Sequence, residues 1–202
     1  MEAALATGDF WIVSDNHFGH TRLHTELCPW REKLARSEGF KSFDEYQIHL
    51  WNKRVSADSV VLNLGDFFIN KMNPRKTEEN ISKILPRLVF KKMYVVKGNH
   101  DAKKYSFYDD RVELIDFYLI LDILGKRLLF SHYPHMLKGH HPKERYINEM
   151  KRLDAIFKKE KCALHFHGHI HGYKIAKPNI NVSIDALDGM GPVYFADLLK
   201  RS

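Results

Sequence analysis

Cysteine is scarce in this sequence, which argues against a disulfide-bonded protein. Cys28 and Cys162 are the two cysteines among 202 residues; they lie far apart, and neither belongs to a CxxC motif. We therefore expect a protein of the reducing cytoplasm. The sequence also lacks an apolar run long enough for a membrane span, and its first ten residues lack the regions of a secretory signal. Repeats, low-complexity tracts and Pro/Gly/Ser linkers are absent, which predicts one domain over residues 1–202.

Histidine and positive charge, by contrast, are abundant. There are 13 histidines and a formal net charge of +7, in a composition that is 44% hydrophobic and 28% charged. This balance is typical of a folded globular domain rather than a disordered chain. The lysines and arginines are scattered in small groups, so the charge indicates either a solvated basic surface or attraction to a polyanion such as nucleic acid. Because imidazole is a common metal ligand, the positions of the histidines need an explanation.

Short runs rich in β-branched and aromatic residues are interleaved with helical patterns. The pattern predicts strands at 10–14, 59–64, 93–98, 117–123, 127–132, 163–168, 180–185 and 193–198. A hairpin is predicted with Gly125 and Lys126 at its turn. Helices are predicted at 42–55 with Ser42 as N-cap, at 77–85 starting from Thr77, and at 144–160. This order predicts a layered α/β domain that ends in more antiparallel sheet, with a helical insertion around 19–57.

Polar side chains follow five of these predicted strands. A lone Asp or His after a strand is typical of a turn or of an ordinary hydrogen-bonded residue. Five strand ends with oxygen or imidazole donors indicate a shared site instead, because loops converge at the carboxyl ends of strands in α/β sheets. The residues are Asp15, His17, Asp66, Asn99, His100, Asp101, His132, His169 and His171.

The donor types predict two metal ions. Carboxylate, amide and imidazole donors without thiolate suit divalent ions such as Mn²⁺, Fe²⁺, Zn²⁺ or Ni²⁺. Even seven of these donors would be too many for one tetrahedral ion, and two ions ~3.5–4 Å apart can hold a hydroxide and clamp the oxygens of a phosphoryl group. His169 and His171 alternate along the chain, so both rings can face the same ions. A mononuclear zinc hydrolase fits less well, because no HExxH motif is present.

These blocks together resemble the calcineurin-like metallophosphoesterase superfamily. The family pattern D-x-H, G-D, G-N-H-[DE], a strand-terminal His and G-H-x-H is matched, in order, by DNH at 15–17, GD at 65–66, GNHD at 98–101, SHYP at 131–134 and GHIH at 168–171. The match is closer to small bacterial and phage members, which share SDNHFGH, WNKRV and the tail NVSIDALDGMGPV. Asn16 departs from the pattern, since relatives often carry Thr or an aliphatic residue there.

The resemblance implies a four-layer α/β/β/α sandwich with a two-metal site at its strand ends. It implies that two triads each hold one ion and that a single carboxylate bridges the ions together with a water or hydroxide. The first triad is Asp15, His17 and His171, the second is Asn99, His132 and His169, and the bridging carboxylate is Asp66. Mn²⁺ is the first choice of metal, with Fe, Zn, Ni or Mg as alternatives.

The resemblance also implies catalytic residues and a reaction. His100 would contact the phosphate or protonate the leaving oxygen, and Asp101 would orient His100 from behind. We expect a phosphodiesterase that cleaves a nucleotide or nucleic-acid phosphodiester by hydroxide attack, with no membrane partner. A phosphomonoesterase or a nucleotide pyrophosphatase is the alternative, and a non-catalytic scaffold of the same fold is a third reading.

The roles of several further residues have more than one interpretation. His165 and His167 are expected in the strand that enters the site, and His20 either reaches the rim of the site or begins a helix. The loop at 135–146 is either a phosphate-contacting loop or a solvated polar loop. The physiological substrate, the native metal and the oligomeric state do not follow from the sequence.

Overall fold

A five-stranded, mostly parallel sheet forms one half of the protein. The computed structural model describes residues 3–68, 74–101, 109–135, 144–173, 175–187 and 191–201. The strand order is β4-β3-β2-β1-β9; the first four strands are parallel, and β9 runs antiparallel to β1. The bounds are Trp11–Val13 (β1), Val60–Asn63 (β2), Lys92–Val96 (β3), Val112–Ile115 (β4) and Val193–Tyr194 (β9).

The second sheet has four strands in the order β5-β6-β7-β8. Their bounds are Tyr118–Ile123, Lys126–Ser131, Leu164–His167 and Asn179–Asn181. The β5–β6 hairpin is antiparallel, but β6, β7 and β8 are parallel. The expectation of more antiparallel sheet in the last part of the chain is met in part: β5–β6 and β1–β9 are antiparallel, but the helix Glu144–Lys159 returns the chain for a parallel β6–β7 connection.

Helices cover both outer faces. Their bounds are Ala3–Thr7 (α1), Pro29–Ser37 (α2), Phe43–Arg54 (α3), Pro74–Ile84 (α4), Glu144–Lys159 (α5) and Phe195–Arg201 (α6), with a π-helical turn at Leu23–Leu27 and a 3₁₀ turn at Leu85–Arg87. The π-helical turn, α2 and α3 all lie between β1 and β2, in the segment 19–57. None of the described helices is long and apolar enough to span a membrane.

Alternating side chains divide the core into layers. In β3, Met93 and Val95 pack with the helices α3 and α4, whereas Tyr94 and Val96 pack between the two sheets. In β6, Leu129 faces α5 and packs with Leu153 of that helix. Because successive strand residues point to opposite faces, each sheet contributes to two cores. The order of layers is helix, sheet, sheet, helix, which confirms the four-layer prediction.

Several element boundaries differ from the sequence-based expectations, among them those of the last strand and of helix α4. The strand predicted at 193–198 ends at Tyr194, and the chain continues as α6, whose Phe195 and Leu199 pack in the inter-sheet core. Helix α4 begins at Pro74 rather than at Thr77, since proline has the fixed φ that suits the first helical position. The Ser42 N-cap is confirmed: its Oγ accepts a hydrogen bond from the Glu45 amide at 3.3 Å.

The β5–β6 hairpin turn consists of Leu124 and Gly125, with φ angles of 51° and 73°. Lys126 is the first residue of β6, so its predicted place in the turn is wrong. Two successive positive φ values are the mark of a type I′ turn, which favours Asn-Gly. Leu124 is 80% exposed, so its side chain gains little from packing.

Replacing Leu124 by asparagine should stabilise the protein, because asparagine tolerates the left-handed conformation better than leucine. We expect Leu124→Asn to raise the free energy of unfolding by ~0.5–1 kcal/mol in urea titrations. Leu124→Ser is the matched control, since it removes the same apolar side chain without that backbone preference. A Leu124→Asn variant no more stable than Leu124→Ser would refute the turn assignment.

Candidate metal centre

The loops after β1, β2, β3, β6 and β7 meet at one edge where the two sheets come together. A backbone bridge joins Ser14 to Ser183, and the Gly168 amide donates to the His132 carbonyl at 3.0 Å. On the first sheet, the amide of Asp15 donates to the Gly65 carbonyl at 3.0 Å. These contacts draw the predicted donors from both sheets into one cluster.

Asp15, His17 and His171 form the first donor group. Each offers one ligand atom, and these atoms lie within 4.8 Å of one another. Asp15 Oδ1 and both ring nitrogens of His17 are buried and have no hydrogen-bond partner, while Asp15 Oδ2 accepts from the His169 amide at 2.9 Å and from Ser183 Oγ at 2.7 Å. Buried polar atoms normally find partners, so the orphaned Oδ1, 3.9 Å from His17 Nε2, fits a bound cation.

Asn99, His132 and His169 form the second donor group. His132 Nδ1–H donates to the Leu64 carbonyl at 2.8 Å, so Nε2 is the ring atom that faces the other donors and could bind a metal ion when the ring is neutral. That Nε2 lies 3.3 Å from Asn99 Oδ1 and 3.3 Å from His169 Nδ1. Burial and the charge of His132 lower the pKa of His169 to about 2, so its ring stays neutral as a ligand must be.

Asp66 lies between the two groups. Its Oδ2 is 3.7 Å from His17 Nε2 and 3.5 Å from His132 Nε2, and it shares a second potential cluster with Asp15 and His132. Its Oδ1 accepts from the His100 amide at 2.7 Å. Asp66 therefore lies where the predicted bridging carboxylate has to be.

The carboxylates of Asp15 and Asp66 lie close together, and their surroundings shift their pKa values in opposite directions. Burial raises the pKa of Asp66, His132 opposes that rise, and the charges of Asp101 and Asp15 add to it. For Asp15, burial alone would raise the pKa. The charges of His132 and His171 and a hydrogen bond from Ser183 outweigh burial and hold the pKa below its ordinary value. Extra positive charge is thus favourable here, as expected for a cation site.

Five of the predicted ligands have a left-handed backbone conformation. The φ angles are 59° for Asp15, 52° for His17, 52° for Asp66, 69° for His169 and 51° for His171. Such strain in non-glycine residues gathers at functional sites. The neighbouring glycines leave the necessary room: a Cβ on Gly98 would clash with the Asp66 carboxylate, and one on Gly168 would clash with Ser14 and Asp15.

His100 lies at the open side of the cluster. Its side chain is 28% exposed, and its Nε2 lies 4.0 Å from Asp66 Oδ2. The His20 ring centroid is 6.1 Å from that of His100, so His20 lies near the rim. Its carbonyl also accepts from the amides of Leu23 and His24 where a helical turn begins, so both expectations for His20 are met. Asp101 accepts hydrogen bonds at 2.7 Å from the amides of Asp66, Phe67 and Gly98. These contacts make Asp101 the residue that ties together the loops after β2 and β3, while its predicted orientation of His100 stays a prediction.

Two residues of the site were missed by sequence reasoning. Asp185 accepts a 2.5 Å hydrogen bond from His171 Nδ1–H, and Arg31 binds the same carboxylate through Nε at 2.9 Å and Nη2 at 2.6 Å. Asp185 had a signal, since it follows the alternating run INVSI at 180–184, which predicts a strand, in the way that Asp15 follows β1. Arg31 had none. Of the loop predicted at 135–146, residues 136–143 lie outside the described residues.

A buried histidine pair supports the loop that carries His132. His165 is fully buried, as expected for a residue in the sheet. Its Nε2–H donates to Ser131 Oγ at 2.7 Å, and its Nδ1 accepts from His135 Nδ1–H at 2.7 Å. Burial, with the nearby charges of His167 and His135, lowers the pKa of His165 far below its ordinary value. The pair therefore holds residues 131–135 against β7 only while His165 is neutral.

A family comparison agrees with the geometry. The family model described as calcineurin-like phosphoesterase matches residues 8–173. This chain belongs to the calcineurin-like phosphoesterase family. The family resemblance drawn from the motifs is thereby confirmed, and with the Asp/His cluster it supports a metal-dependent phosphoesterase, a hydrolase of phosphoesters that binds divalent metal.

Solved structures also resemble this calcineurin-like phosphoesterase. AQ665 from Aquifex aeolicus, a protein of unknown function, is 26% identical with a TM-score of 0.69, over 96% of this chain and 98% of AQ665. A predicted phosphoesterase from Streptococcus pneumoniae is 18% identical with a TM-score of 0.34, over 86% of this chain and 70% of its own. Vacuolar Protein Sorting 29 from Cryptosporidium parvum is 14% identical with a TM-score of 0.39, over 86% and 72%. No curated protein matches the chain.

Removing one oxygen donor should reduce the stabilisation by metal to well under half of the native value. In Asp15→Asn the amide oxygen can still accept from Ser183 and His169, while the NH₂ group replaces Oδ1 and cannot bind a cation. For the native protein, Mn²⁺ at about 100 times its Kd should raise the free energy of unfolding by ~2.7 kcal/mol. At the same Mn²⁺ concentration the variant should gain well under half of this in thermal or urea unfolding. Asp9→Asn, at an exposed position, is the control; equal gains in both variants would exclude Asp15 as a ligand.

The buried His165 should make stability fall in acid. Its folded pKa lies below the unfolded value of about 6.5, so only the unfolded state takes up this proton as the pH drops. The stabilisation is complete above that pH and is lost as the pH falls, by up to ~1.4 kcal/mol per pH unit. In chelator, His165→Asn should flatten the slope of unfolding free energy below about pH 6 by that amount. The exposed His49→Asn serves as the control, and an unchanged slope in His165→Asn would contradict the assignment.

Proposed function

We propose that this protein is a phosphodiesterase with two divalent ions and that it acts on nucleotides or nucleic acid. The position of the Asp66 carboxylate carries the proposal. One oxygen, Oδ2, lies 3.7 Å from the first donor group at His17, 3.5 Å from the second at His132, and 4.0 Å from His100. A carboxylate shared by two donor groups, with a partly exposed imidazole beside it, fits two-metal phosphoryl chemistry.

The chain's own residues have separate tasks in this reaction. Asp15, His17 and His171 would hold one ion, Asn99, His132 and His169 the other, and Asp66 would contact both. When bound, the ions supply an acidified water and offset negative charge on the phosphoryl oxygens. His100 gives the leaving oxygen a proton, since it is the imidazole that borders both Asp66 and solvent. Mn²⁺ is the first ion to test, since the site offers oxygen and imidazole donors without thiolate.

Charge and exposed aromatic rings favour a nucleotide or nucleic-acid substrate. The net charge of +7 favours binding to the phosphate groups of nucleotides and nucleic acid. Trp30 is 41% exposed and Tyr173 is 62% exposed; Trp30 precedes the buried Arg31, and Tyr173 follows His171 by two residues. Exposed aromatic rings can stack on bases, with a gain of ~1–3 kcal/mol per base.

The proposal is tested by hydrolysis of bis-p-nitrophenyl phosphate beside p-nitrophenyl phosphate. Metal-stripped protein is resupplied with Mn²⁺, Ni²⁺, Zn²⁺ or Mg²⁺. Metal-dependent turnover that favours the diester supports the proposal, and nucleotides and single-stranded nucleic acid are then assayed. Preference for the monoester would indicate the phosphomonoesterase, and cleavage confined to a pyrophosphate bond the nucleotide pyrophosphatase. No turnover from folded protein that binds two ions would indicate the scaffold.

His100→Ala should separate substrates by their leaving groups. A general acid contributes ~10²–10⁴-fold when the leaving oxygen is basic, as in a dinucleotide. A nitrophenolate needs little protonation, so the loss on bis-p-nitrophenyl phosphate should stay below about tenfold. The measurement is kcat/KM on both substrates at saturating metal, with the exposed His49→Ala as control. Equal losses on both substrates would sink the general-acid role of His100.

A further inference from the structure

Arg31, in α2, is an arginine with 0% exposure, and a buried guanidinium needs partners that repay its desolvation. Its Nε and Nη2 grip the Asp185 carboxylate in a two-point contact, at 2.9 Å to Oδ1 and 2.6 Å to Oδ2. Two parallel N–H···O bonds fix orientation as well as charge. Arg31 therefore locks Asp185 in one position.

Asp185 in turn orients the ring of His171, a predicted ligand. The same Oδ2 accepts from His171 Nδ1–H at 2.5 Å, so the ring is held in the tautomer whose Nε2 is free to bind metal. A ligand imidazole whose other nitrogen is anchored by a carboxylate has a fixed ring direction. Arg31 Nη2 also lies 3.4 Å from His171 Nδ1 itself.

The segment 19–57 also reaches the other two members of this donor group. Arg31 Nη2 donates to the Asp15 carbonyl at 3.4 Å, and His24 Nε2–H donates to the His17 carbonyl at 3.1 Å. His24 Nδ1 lies 3.5 Å from Arg31 Nη1, so these two contacts form one network. Asp15 and His17 both have strained backbone conformations, with φ angles of 59° and 52°, and such conformations persist only when neighbours hold them.

The second donor group is supported by different parts of the chain. His132 Nδ1–H donates to the Leu64 carbonyl. The His169 ring packs against Tyr133 and Tyr146, with centroid distances of 4.7 Å and 4.6 Å. These supports come from the loops after β2 and β6 and from α5 rather than from α2.

We propose that Arg31 is a positioning residue that sets the affinity of one ion position, the one at Asp15, His17 and His171, through its grip on Asp185. The inference rests on the proposed two-metal function. It makes the helical segment 19–57 part of the metal centre: α2 contacts residues of one ion position, so a change in α2 alters that position far more than the other.

Mn²⁺ titration of metal-stripped protein tests this, by calorimetry and by the electron paramagnetic resonance signal of free Mn²⁺. The native protein should bind two ions. Arg31→Met should weaken one of them by ~10–100-fold and leave the other nearly unchanged. Arg31→Lys keeps the charge but loses the two-point grip, so it should weaken the same ion. Arg36→Met is the matched control, since Arg36 lies on the same helix with 64% of its side chain exposed.

Reference variants identify which ion is lost. The pattern of Arg31→Met should match His171→Gln and differ from His169→Gln. Asp185→Asn provides a second route, because it removes the charge from the Arg31 contact without changing side-chain size. Since Arg31 and Asp185 act as one unit, the double variant should lose less than the sum of the single losses. Circular dichroism and unfolding in chelator identify variants that do not fold. If Arg31→Met does not fold, the affinities of Arg31→Lys and Asp185→Asn decide the role of Arg31.

The outcomes separate this inference from the proposed function. Unchanged affinities in Arg31→Lys and Asp185→Asn, equal weakening of both ions, or tighter binding in Arg31→Met would each overturn the positioning role. Native protein that binds two ions without hydrolysing any phosphoester would refute the proposed function, while the titration would still decide the role of Arg31. Folded native protein that binds no ion would refute both.

Discussion

The structure of the candidate metal centre depends on backbone strain that is held in place by hydrogen bonds. Asp15, His17, Asp66, His169 and His171 all have positive φ angles, and each such residue costs ~1–3 kcal/mol. This conformational cost is concentrated where the two sheets end, so hydrogen bonds at that edge have to offset it. Asp101 supplies three of them, since its carboxylate accepts from the amides of Asp66, Phe67 and Gly98. These sharp turns bring side chains from neighbouring strands to one point, so five of the seven predicted ligands reach the donor cluster through a strained backbone.

The charge balance explains why this edge favours cations. Asp15, Asp66, Asp101 and Asp185 bring four carboxylates together, and Arg31 supplies one buried guanidinium. For His171, burial opposes protonation, but the hydrogen bond to Asp185 and the charge of Asp15 raise its pKa. For His132, burial also opposes protonation, and the charges of Asp66 and Asp15 outweigh it. Cation binding and protonation compete at these imidazoles, because a ligand imidazole has to be neutral.

The positions of the candidate donors are easier to recognise in the sequence than the pairing of the strands that carry them. Each predicted ligand follows an apolar run, and a buried strand that leads into Asp or His is visible without knowing its neighbours. The pairing of strands is not visible in this way, which is why the parallel β6–β7–β8 arrangement was not predicted. The run at 193–198 fits a strand or a short helix equally well, and packing of Phe195 between the sheets decides for the helix. The predicted ligand groups are brought together, while their roles stay predictions.

Arg31 shows where pattern reading fails and why. A charged residue in a helical segment is expected to face solvent, because its burial is costly unless a partner is present. Its partner Asp185 lies 154 residues away in the sequence, so no local pattern connects them. The pairing exists because the inserted helix packs over the edge where β1 and β8 end, and this brings a guanidinium to a carboxylate that already holds His171. The insertion between β1 and β2 is thus the means by which a distant helix contributes to the electrostatics of the donor cluster. A segment that resembles a peripheral addition in the sequence is therefore a structural part of the centre.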